Sequence, residues 1–522
     1  MPTTIIYKPN QAATQEAQVG INPVNDSPQL SNSNCMKDSK YIEHSNPILD
    51  STVESTAIYN QPQYYQGRRR KAAVALSMIW GGTITLHLVS WGSWFILGLT
   101  SILSIHVFRL LLTAPRKLPQ MWTGEANSDW PFVSLLVAAK NEEAVIQNLV
   151  KGLCNLDYPT ECYEVWVIDD NSSDQTALLI DEMMPEYQQL NILRRKPTDS
   201  GGKSGALNQV LPLTNGEIIG VFDADAKVSR DLLRRVLPLF EHQQVGGVQT
   251  RKAIANEPTN FWTRSQAAEM VLDTTLQQKR VALGGMGELR GNGQFVRRQA
   301  LESCGGWNEQ TITDDLDLTF RLHLDQWDIE LMMFPPVGEE GVTSATALWH
   351  QRNRWAEGGY QRYLDYWKLI LRKRMNFLKR WDLFYFLLFQ YLLPTAAIPD
   401  CLMAIALRRP PITSPMTILA LMLSGISMFL GLRRTQKQQF IEIAESELSL
   451  NPAGIDQPHF NQTTIQRQPL RTLLITLGQT LRGTLYMFHW FIVIGSVTTR
   501  ISVRPKRLKW VKTVHQGHET AQ

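Results

Sequence analysis

The sequence predicts an α/β domain with a doubly wound sheet, flanked by transmembrane α-helices. Between residues 130 and 360, short apolar runs of strand length alternate with segments of helical periodicity. This alternation is typical of a parallel sheet that is covered by helices on both faces. On either side of this region lie long apolar segments with very few charged residues, as expected of membrane spans.

Composition limits the function classes that need to be considered. The 522 residues leave room for a catalytic domain and further parts, and the mild net charge of +4 predicts no nucleic-acid partner. Five scattered cysteines without a CxxC pair indicate reduced thiols on a protein that faces the cytosol. Residues 1–66 are rich in Asn, Gln, Ser, Thr and Pro, which predicts a disordered N-terminal tail. No secretory signal is expected, because the first apolar segment begins only after residue 71.

Residues 72–112 are predicted to form a transmembrane hairpin. The stretch from Ala72 to Phe108 contains no Asp, Glu, Lys or Arg. Since one bilayer span takes roughly 20 residues, two spans joined near residues 91–92 fit this length. Basic residues at both ends, among them Arg68 and Arg109, place both ends in the cytoplasm. One long buried helix is the alternative.

Residues 130–360 are predicted to form one soluble α/β domain. Apolar runs followed by helical segments predict four strands, at 132–139, 163–168, 191–193 and 218–222. In a doubly wound sheet the ligand binds beyond the carboxyl ends of the strands. Acidic residues follow two of these strands directly, so the sequence predicts a binding site at that edge.

The C-terminal part returns to the membrane. Residues 360–381 mix aromatic and basic side chains, which favours an interfacial amphipathic helix on an anionic lipid surface over a solvated charged helix. Further spans are predicted at 383–407 and 416–432. Residues 472–497 are apolar but contain Arg482, so a further span and an interfacial or re-entrant helix both remain open. The basic tail at 504–522 favours the cytoplasm, and four to six spans are expected in total.

Two carboxylates follow the apolar run 218–222. Asp223 and Asp225 are two positions apart, and such residues project to the same side of an extended chain. Both can therefore face one divalent cation. Magnesium is usually bound by one or two carboxylates together with substrate phosphates, so this pair predicts a site for a metal and a diphosphate.

Two more motifs are typical of nucleotide binding. Asp169 and Asp170 end the second predicted strand, where carboxylates can accept hydrogen bonds from a nucleobase and ribose hydroxyls; N-capping by Ser173 or Asp174 is the alternative. Residues 201–208 form a glycine-rich segment whose backbone N–H groups and Lys203 suit a phosphate, although a plain flexible loop is also open. The spacing is not that of a Walker A motif.

Crowded acidic residues at 313–317 suggest a general base. Neighbouring carboxylates raise one another's pKa, so one of Asp314, Asp315 and Asp317 can accept a proton near neutral pH. A capped helix start is the alternative, since Thr313 followed by acidic residues is a good N-terminus. The glycine turn at 291–298, which leads into a further strand, would let the backbone approach a sugar or acceptor closely, or it is a simple hairpin turn.

The segment 351–355 provides an amide, a guanidinium and an indole in Gln351, Arg354 and Trp355. Arginine binds diphosphate oxygens with a rigid fork, and tryptophan has a flat apolar face on which a sugar ring can stack. Such a triplet taken alone is usually part of a surface helix.

In this order and spacing, the motifs resemble those of family 2 inverting glycosyltransferases with membrane anchors. The resemblance covers roughly residues 130–360 and implies a Rossmann-like, GT-A type nucleotide-sugar-binding fold for this catalytic domain. It further implies a divalent metal, Mg²⁺ or Mn²⁺, and a single displacement with inversion at the transferred sugar.

The resemblance also implies roles for individual residues. Asp315 matches the last residue of the family's Thr-Glu-Asp triplet, the catalytic base, although Asp314 replaces the middle Glu. The remaining matches are Asp169 and Asp170 as the nucleotide-binding pair, Lys203 near the diphosphate, Asp223 and Asp225 as the metal-binding DxD, and Gln351, Arg354 and Trp355 as the QxxRW box over the diphosphate and acceptor.

The acceptor is harder to predict. QxxRW occurs in processive polysaccharide synthases and in lipid glucosyltransferases, but no gating loop or regulatory domain follows Trp355 here. The whole arrangement is similar to the monoglucosyldiacylglycerol synthases of oxygenic photosynthetic bacteria, which implies transfer of glucose from UDP-glucose to diacylglycerol at an anionic membrane. The apolar segments and their basic flanks, which fit this resemblance, predict a multi-pass integral membrane protein with a cytosolic catalytic domain. The alternatives are a processive β-glucan synthase, a galactosyl or mannosyl lipid transferase, and a non-catalytic scaffold.

Overall fold

A computed structural model describes residues 66–123, 130–372, 374–450 and 469–504. Almost all of the predicted disordered tail at 1–66 and of the predicted basic tail at 504–522 lies outside the described residues.

A seven-stranded mixed sheet forms the centre of the domain. Its strands lie in the order β3-β2-β1-β4-β6-β5-β7. The first four strands are parallel, β6 is antiparallel to both of its neighbours, and β5 pairs with β7 in parallel. The strands are β1 (Val133–Ala139), β2 (Tyr163–Asp169), β3 (Leu190–Arg194), β4 (Ile218–Phe222), β5 (Val245–Ile254), β6 (Gln294–Arg297) and β7 (Asp328–Glu339).

Fifteen α-helices are found among the described residues. Those between Ile146 and Leu371 belong to the central domain or join it to the apolar helices that precede and follow it. In chain order the helices are α1 (Arg68–Leu88), α2 (Gly92–Leu112), α3 (Ile146–Cys154), α4 (Thr176–Met183), α5 (Gly202–Val210), α6 (Leu232–Val236), α7 (Phe261–Ala282), α8 (Arg298–Ser303), α9 (Asp314–Leu324), α10 (Ala345–Leu371), α11 (Phe377–Leu387), α12 (Leu393–Leu407), α13 (Ser414–Leu450), α14 (Pro469–Met487) and α15 (His489–Val503).

Both faces of the sheet are covered by helices. On β1, Leu135 and Val137 pack into a core with α3, α4 and α6, whereas Leu136 between them packs on the other face with α5 and α9. This follows from the alternation of side chains along a strand. The predicted α/β fold with helices on both faces of the sheet is therefore confirmed, and the carboxyl ends of β1, β2 and β4 lie at the edge where the sequence predicts the site.

Two strands, β5 and β7, have no counterpart in the sequence prediction. β5 contains Gly246, where a Cβ would lie 2.7 Å from the Cβ of Trp327, so close packing requires a glycine that interrupts the pattern typical of a strand. β7 contains Pro335 and Pro336, which normally argue against a strand. They are tolerated because β7 is the edge strand, where an N–H group is not needed on the outer side.

Three helical segments among the described residues are long and apolar enough to cross a membrane, namely Gly92–Leu112, Phe377–Leu407 and Ser414–Gln438. The second consists of α11 and α12 joined by a π-helical turn, Leu388–Leu392. The predicted hairpin at 72–112 corresponds to α1 and α2, but α1 begins with four basic residues and does not meet the same measure. Three such segments are fewer than the four to six spans expected from the sequence.

The segment 360–381 differs from the prediction of one interfacial helix. Its first part is the end of α10, and α11 begins only at Phe377. Tyr366 and Arg362 are buried rather than spread on a surface, because Tyr366 Oη donates to Asp317 at 2.8 Å and Arg362 is paired with Glu288 at 3.3 Å. The basic residues of α10 therefore neutralise buried carboxylates of the domain.

The segment 472–497, for which the sequence leaves a span and an interfacial or re-entrant helix open, is not one continuous helix. It is divided between α14 and α15, which are separate helices that meet at Phe488.

The turn before β6 is expected to be sensitive to a single methyl group. Gly293 has φ +70°, and a Cβ there would lie 2.3 Å from Thr250 Oγ1 and 2.8 Å from Val337. Gly293→Ala should therefore destabilise the protein by more than about 1 kcal/mol. Gly478→Ala is the matched control, because nothing lies within 4 Å of the added methyl group in α14. Thermal unfolding of the purified proteins in detergent compares the two, and equal melting temperatures would contradict this prediction.

Candidate active site

A cavity of about 500 Å³ connects the carboxyl edge of the sheet with the apolar helices. At the sheet end its lining includes Asp170, Asp223 and Asp315. At the other end the lining includes Phe389 of the π-helical turn and Phe491 of α15. The structure thus brings the predicted polar motifs and the apolar helices together around one space.

Asp223 and Asp225 both line this cavity, but their local structure differs from the prediction. They follow β4 in a turn closed by a hydrogen bond from Ala226 N to Asp223 O at 3.0 Å, so the alternation of an extended strand does not apply. Asp225 Oδ2 accepts a hydrogen bond from the backbone N–H of Glu340 at 2.7 Å. Asp223 N donates to Asn292 Oδ1 at 3.2 Å, which ties this turn to the glycine turn before β6.

The two aspartates fit a divalent metal by their chemistry. Carboxylate oxygens are hard ligands, and magnesium or manganese is commonly bound by two of them together with phosphates and waters. Among the described residues no cluster of three or more His, Cys, Asp or Glu side chains has metal-binding geometry. A metal at Asp223 and Asp225 would therefore depend on ligands from a bound substrate.

The neighbouring predicted residues Asp169 and Asp170 differ in their surroundings. Asp169 is buried and accepts a hydrogen bond from Ser172 N at 3.1 Å, so it holds the turn after β2 and is not among the residues that line the cavity. Asp170 does line the cavity, where its carboxylate is paired with Arg195 and lies 3.5 Å from Lys140 Nζ. Asp170 is thus the better placed of the two for contact with a ligand.

Lys203 lies in the first turn of α5, after two glycines with positive φ. Its Nζ lies 2.5 Å from Asp223 Oδ1. Burial by itself lowers the pKa of an ammonium group, but Asp223, Asp314 and Asp315 more than offset this, and the pKa of Lys203 lies above its ordinary value. Lys203 is therefore a permanent cation between the carboxylates at the sheet edge.

Asp315 lies in the first turn of α9 and lines the cavity. Burial and the adjacent carboxylate of Asp314 raise its pKa to about 6, although Lys252 and Lys203 act in the opposite direction. A carboxylate with this pKa can exchange a proton near neutral pH. Gly291 lies beside it, since a Cβ at Gly291 would be 3.4 Å from Asp315 Oδ2. Thr313 precedes the helix but makes no side-chain capping hydrogen bond, so the acidic residues are not explained by capping alone.

Gln351, Arg354 and Trp355 lie on one side of α10 and all line the cavity. Their spacing of three and four residues places them on the same helix face. Burial lowers the pKa of Arg354, while Asp223 and Asp315 act against this shift, so its guanidinium lies in the field of the sheet-edge carboxylates. All predicted site residues except Asp169 thus surround one cavity.

Sequence reasoning missed several cavity residues. Lys252 on β5 has its Nζ 5.0 Å from the centre of the Trp355 ring and 2.9 Å from Glu339 Oε2. Arg290 lines the same cavity and is paired with Asp273 at 2.7 Å. Lys252 ends a polar run, 249–252, that belongs to no recognisable motif, whereas Arg290 directly precedes the glycine turn at 291–298, and this position was the one available signal.

Known proteins resemble both the domain and the whole chain. The profile of "Glycosyltransferase like family 2" matches residues 131–358. A β-monoglucosyldiacylglycerol synthase of Trichormus variabilis is 58% identical over 484 residues, which are 92% of this chain and 97% of that protein. A second, from Synechocystis sp., is 55% identical over 451 residues, covering 86% and 89% of the two chains.

Among solved structures, a mannosyltransferase from Pyrobaculum calidifontis, in complex with GDP-Man and Mn²⁺, is 18% identical and covers 82% of this chain and 98% of its own, with a TM-score of 0.40.

Together, the mixed sheet, the cavity at its carboxyl edge and the matching profile define a family 2 glycosyltransferase domain, here joined to membrane-compatible helices. The identity over nearly the full length is more specific, and the chain belongs to the family of β-monoglucosyldiacylglycerol synthases. The family predicted from the motifs is thus confirmed.

The raised pKa of Asp315 has a consequence for stability. Because its pKa is about 6 in the folded protein and about 3.9 in an unfolded chain, the charged carboxylate destabilises the fold above about pH 6. Asp315→Asn should therefore be more stable than the original protein by about 1–3 kcal/mol at neutral pH. This gain in stability should shrink as the pH falls from about 6 to about 4, because Asp315 then becomes protonated in both the folded and the unfolded protein.

Asp317→Asn is the matched control two positions further along α9. Asp317 is paired with Arg321 at 2.7 Å, so its loss should lower the melting temperature. Melting curves of the three proteins over a pH series would measure both effects. A lower melting temperature for Asp315→Asn at neutral pH would contradict the assignment.

Proposed function

We propose that the chain transfers glucose from UDP-glucose to the free hydroxyl of 1,2-diacylglycerol, with inversion, to give β-monoglucosyldiacylglycerol. Two relatives of this name share 58% and 55% of their residues with it over most of their length. Donor identity, inversion and the role of each residue are parts of this proposal.

The single observation that carries the proposal is the continuity of the cavity. Its polar end contains Asp315, and its other end is lined by apolar side chains such as Phe389, Ala420 and Leu421. Ala420 and Leu421 belong to a segment that is long and apolar enough to cross a membrane. Diacylglycerol has one hydroxyl and two hydrocarbon chains, so its polar and apolar parts match the two ends of this space.

The donor is assigned to the sheet edge. Asp170 is suited to accept hydrogen bonds from the uridine moiety, while Lys203 and Arg354 provide cations for the diphosphate. Asp223 and Asp225 would hold Mg²⁺, with Mn²⁺ as the alternative, and the ion would neutralise charge on the diphosphate. The leaving nucleoside diphosphate would thus meet preorganised positive charge, which is a large source of transition-state stabilisation.

Asp315 is assigned the role of general base. Its pKa of about 6 keeps it ionised at neutral pH while leaving it basic enough to accept a proton. In the proposed step the hydroxyl oxygen of diacylglycerol attacks the anomeric carbon as its proton passes to Asp315. The bond between that carbon and the diphosphate oxygen breaks on the opposite face. An α-linked donor then gives a β-glucoside without a covalent intermediate.

The proposal places the catalytic domain in the cytosol as part of a multi-pass membrane protein. Arg69 and Arg70 are exposed at the start of α1, and Arg116 follows the end of α2, so basic residues lie at the domain side of both helices. Cytoplasmic loops carry such an excess of basic residues. The same residues are suited to attract anionic lipid headgroups.

The proposal is tested with membranes that contain the protein, radiolabelled UDP-glucose, magnesium and diacylglycerol. We expect label in an organic-soluble lipid from which β-glucosidase releases glucose. Asp315→Asn should reduce this label by about 10²–10⁴-fold, because the proton acceptor is lost, and should still bind UDP-glucose.

Other distributions of label would redirect the assignment. Label in a long insoluble glucan would show that the chain is a processive β-glucan synthase and not a lipid transferase. Label from UDP-galactose but not UDP-glucose would keep the mechanism and change the sugar. Full activity in Asp315→Asn would remove that residue from the mechanism.

A bulky side chain in the apolar end of the cavity should weaken binding of the acceptor without changing binding of the donor. Ala420 of α13 lines the cavity, so Ala420→Trp should raise the KM for diacylglycerol by about tenfold or more, with little change in the KM for UDP-glucose. Ile418→Trp is the matched control on the same helix, because Ile418 is 57% exposed and faces away from the core. Initial rates at varied lipid and donor concentrations in mixed micelles separate the two constants. Equal effects of the two substitutions would contradict the acceptor path.

A further inference from the structure

A buried carboxylate on α7 connects three helices around the cavity. Glu269 is paired with Arg352 of α10, and it accepts hydrogen bonds from Tyr486 Oη of α14 at 3.0 Å and from Trp490 Nε1 of α15 at 2.8 Å. The donors on α14 and α15 belong to the C-terminal helices, which follow the catalytic domain in sequence by more than a hundred residues. One side chain thus receives donors from the catalytic domain and from the C-terminal helices.

Both carboxylate oxygens of Glu269 accept hydrogen bonds, one from Trp490 and the other from Arg352 and Tyr486, so this side chain is well fixed. Burial raises the pKa of a carboxyl group, but Arg352 offsets this effect, and the pKa of Glu269 lies below its ordinary value. Arg352 has no exposed surface at all. A buried ion pair of this kind is costly to break, because the remaining charge has no partner and no water. Both side chains are consequently held in one orientation.

Arg352 also contacts two members of the QxxRW box. Its guanidinium carbon lies 4.0 Å from the centre of the Trp355 ring, a distance typical of a cation–π contact. Its Nη1 donates to Gln351 Oε1 at 2.8 Å. Arg352, which lies between Gln351 and Arg354 in the sequence, therefore orients the indole of Trp355 and the amide of Gln351.

The position of this cluster along the cavity gives it a function. Glu269 and Trp490 line the cavity together with Trp355. Asp315 lies towards the sheet edge of the same space, and Phe491, the residue after Trp490, belongs to its apolar end. The cluster therefore lies at the junction of the donor part and the acceptor part.

We propose that Glu269 and Arg352, together with Tyr486 and Trp490, form a positioning unit that fixes Trp355 and Gln351 where the acceptor hydroxyl must meet Asp315. The inference rests on the proposed lipid acceptor and deepens it. Through this unit the C-terminal helices determine how the glycerol part of the acceptor is presented. The residues of the unit do not react themselves, so they are positioning residues.

The test compares the kinetic constants of the two substrates. Glu269→Gln keeps the shape of the side chain and removes its charge, so Arg352 and Trp355 lose their fixed orientation. We expect kcat/KM for diacylglycerol to fall about 10–100-fold, because small misplacements of reacting groups cause losses of this size. The KM for UDP-glucose should change by less than about twofold, because the donor residues at the sheet edge are untouched. Arg352→Lys, which keeps a cation, should retain more activity than Arg352→Gln.

Asp365→Asn is the matched control on the same helix. Asp365 is paired with Arg68 of α1, and both side chains are buried, so its loss also breaks a buried ion pair that joins α10 to an apolar helix. Asp365 is not among the residues that line the cavity. It should therefore lower the melting temperature without a selective loss in the acceptor constants.

Trp490→Phe keeps the test decisive if Glu269→Gln does not fold, because it removes one hydrogen bond and leaves the ion pair intact. Trp490→Phe should lower kcat/KM for diacylglycerol by a smaller factor than Glu269→Gln, again with little change in the KM for UDP-glucose. A rise in the KM for UDP-glucose in Glu269→Gln as large as its loss in kcat/KM for diacylglycerol would overturn the inference, as would unchanged acceptor kinetics or an equal acceptor-selective loss in Asp365→Asn. If the unsubstituted protein forms glucolipid on the same membranes, the proposed function stands and only the positioning unit has failed. If it forms none, the proposed function itself has failed.

Discussion

Repulsion among carboxylates at the sheet edge is the constraint on which the rest of the site depends. Asp170, Asp223 and Asp315 all face one cavity, and charges of the same sign destabilise one another unless cations lie between them. Arg195 pairs with Asp170, and Lys203 lies between Asp223 and Asp315. This balance is incomplete at Asp315, whose raised pKa records the remaining repulsion and burial. A stable interior would not be built in this way, but the proposed metal binding and proton transfer both need carboxylates that cations do not fully neutralise.

A second set of buried charges joins the apolar helices to this site. Glu288 is fully buried and meets Arg280, Arg290 and Arg362 at 3.1–3.3 Å, and Arg280 in turn meets Asp382 of α11 at 2.9 Å. Such pairs add little net stability compared with apolar packing, but they accept only one geometry. Apolar contacts alone would allow α11 to slide or rotate against α7. The ion pairs therefore fix the angle at which the membrane-compatible segment reaches the cavity, just as Glu269 does for α14 and α15.

The parts of the fold that sequence could predict are those with local signals. β1, β2, β3 and β4 are apolar runs, and the carboxylates after them follow the general rule that ligands bind at the carboxyl edge of such sheets. The antiparallel β6 and the edge strand β7 depend on contacts between distant residues, and the glycines and prolines in β5 and β7 hide them. The surroundings of Asp169 and of the segment 360–381 likewise depend on contacts between distant residues, so the sequence did not predict them. Whether a carboxylate faces a turn or a cavity, and whether a tyrosine is buried or lies on a surface, is decided by which distant segments pack on it.

The shape and polarity of the cavity also explain why a lipid is a better acceptor than a growing polysaccharide. A glucan carries hydroxyl groups along its whole length, and every one that leaves water needs a hydrogen-bond partner. The far end of the cavity is lined mostly by residues such as Phe389, Leu421, Leu423 and Phe491, which provide no such partners, with Gln390, Thr417 and Ser424 as isolated polar side chains. A glucan there would lose hydrogen bonds at each sugar, whereas hydrocarbon chains lose nothing by leaving the bilayer for such a surface. The hydroxyl and the two ester groups of diacylglycerol lie together at one end of the molecule, and the proposed base Asp315 lines the polar end of the same space.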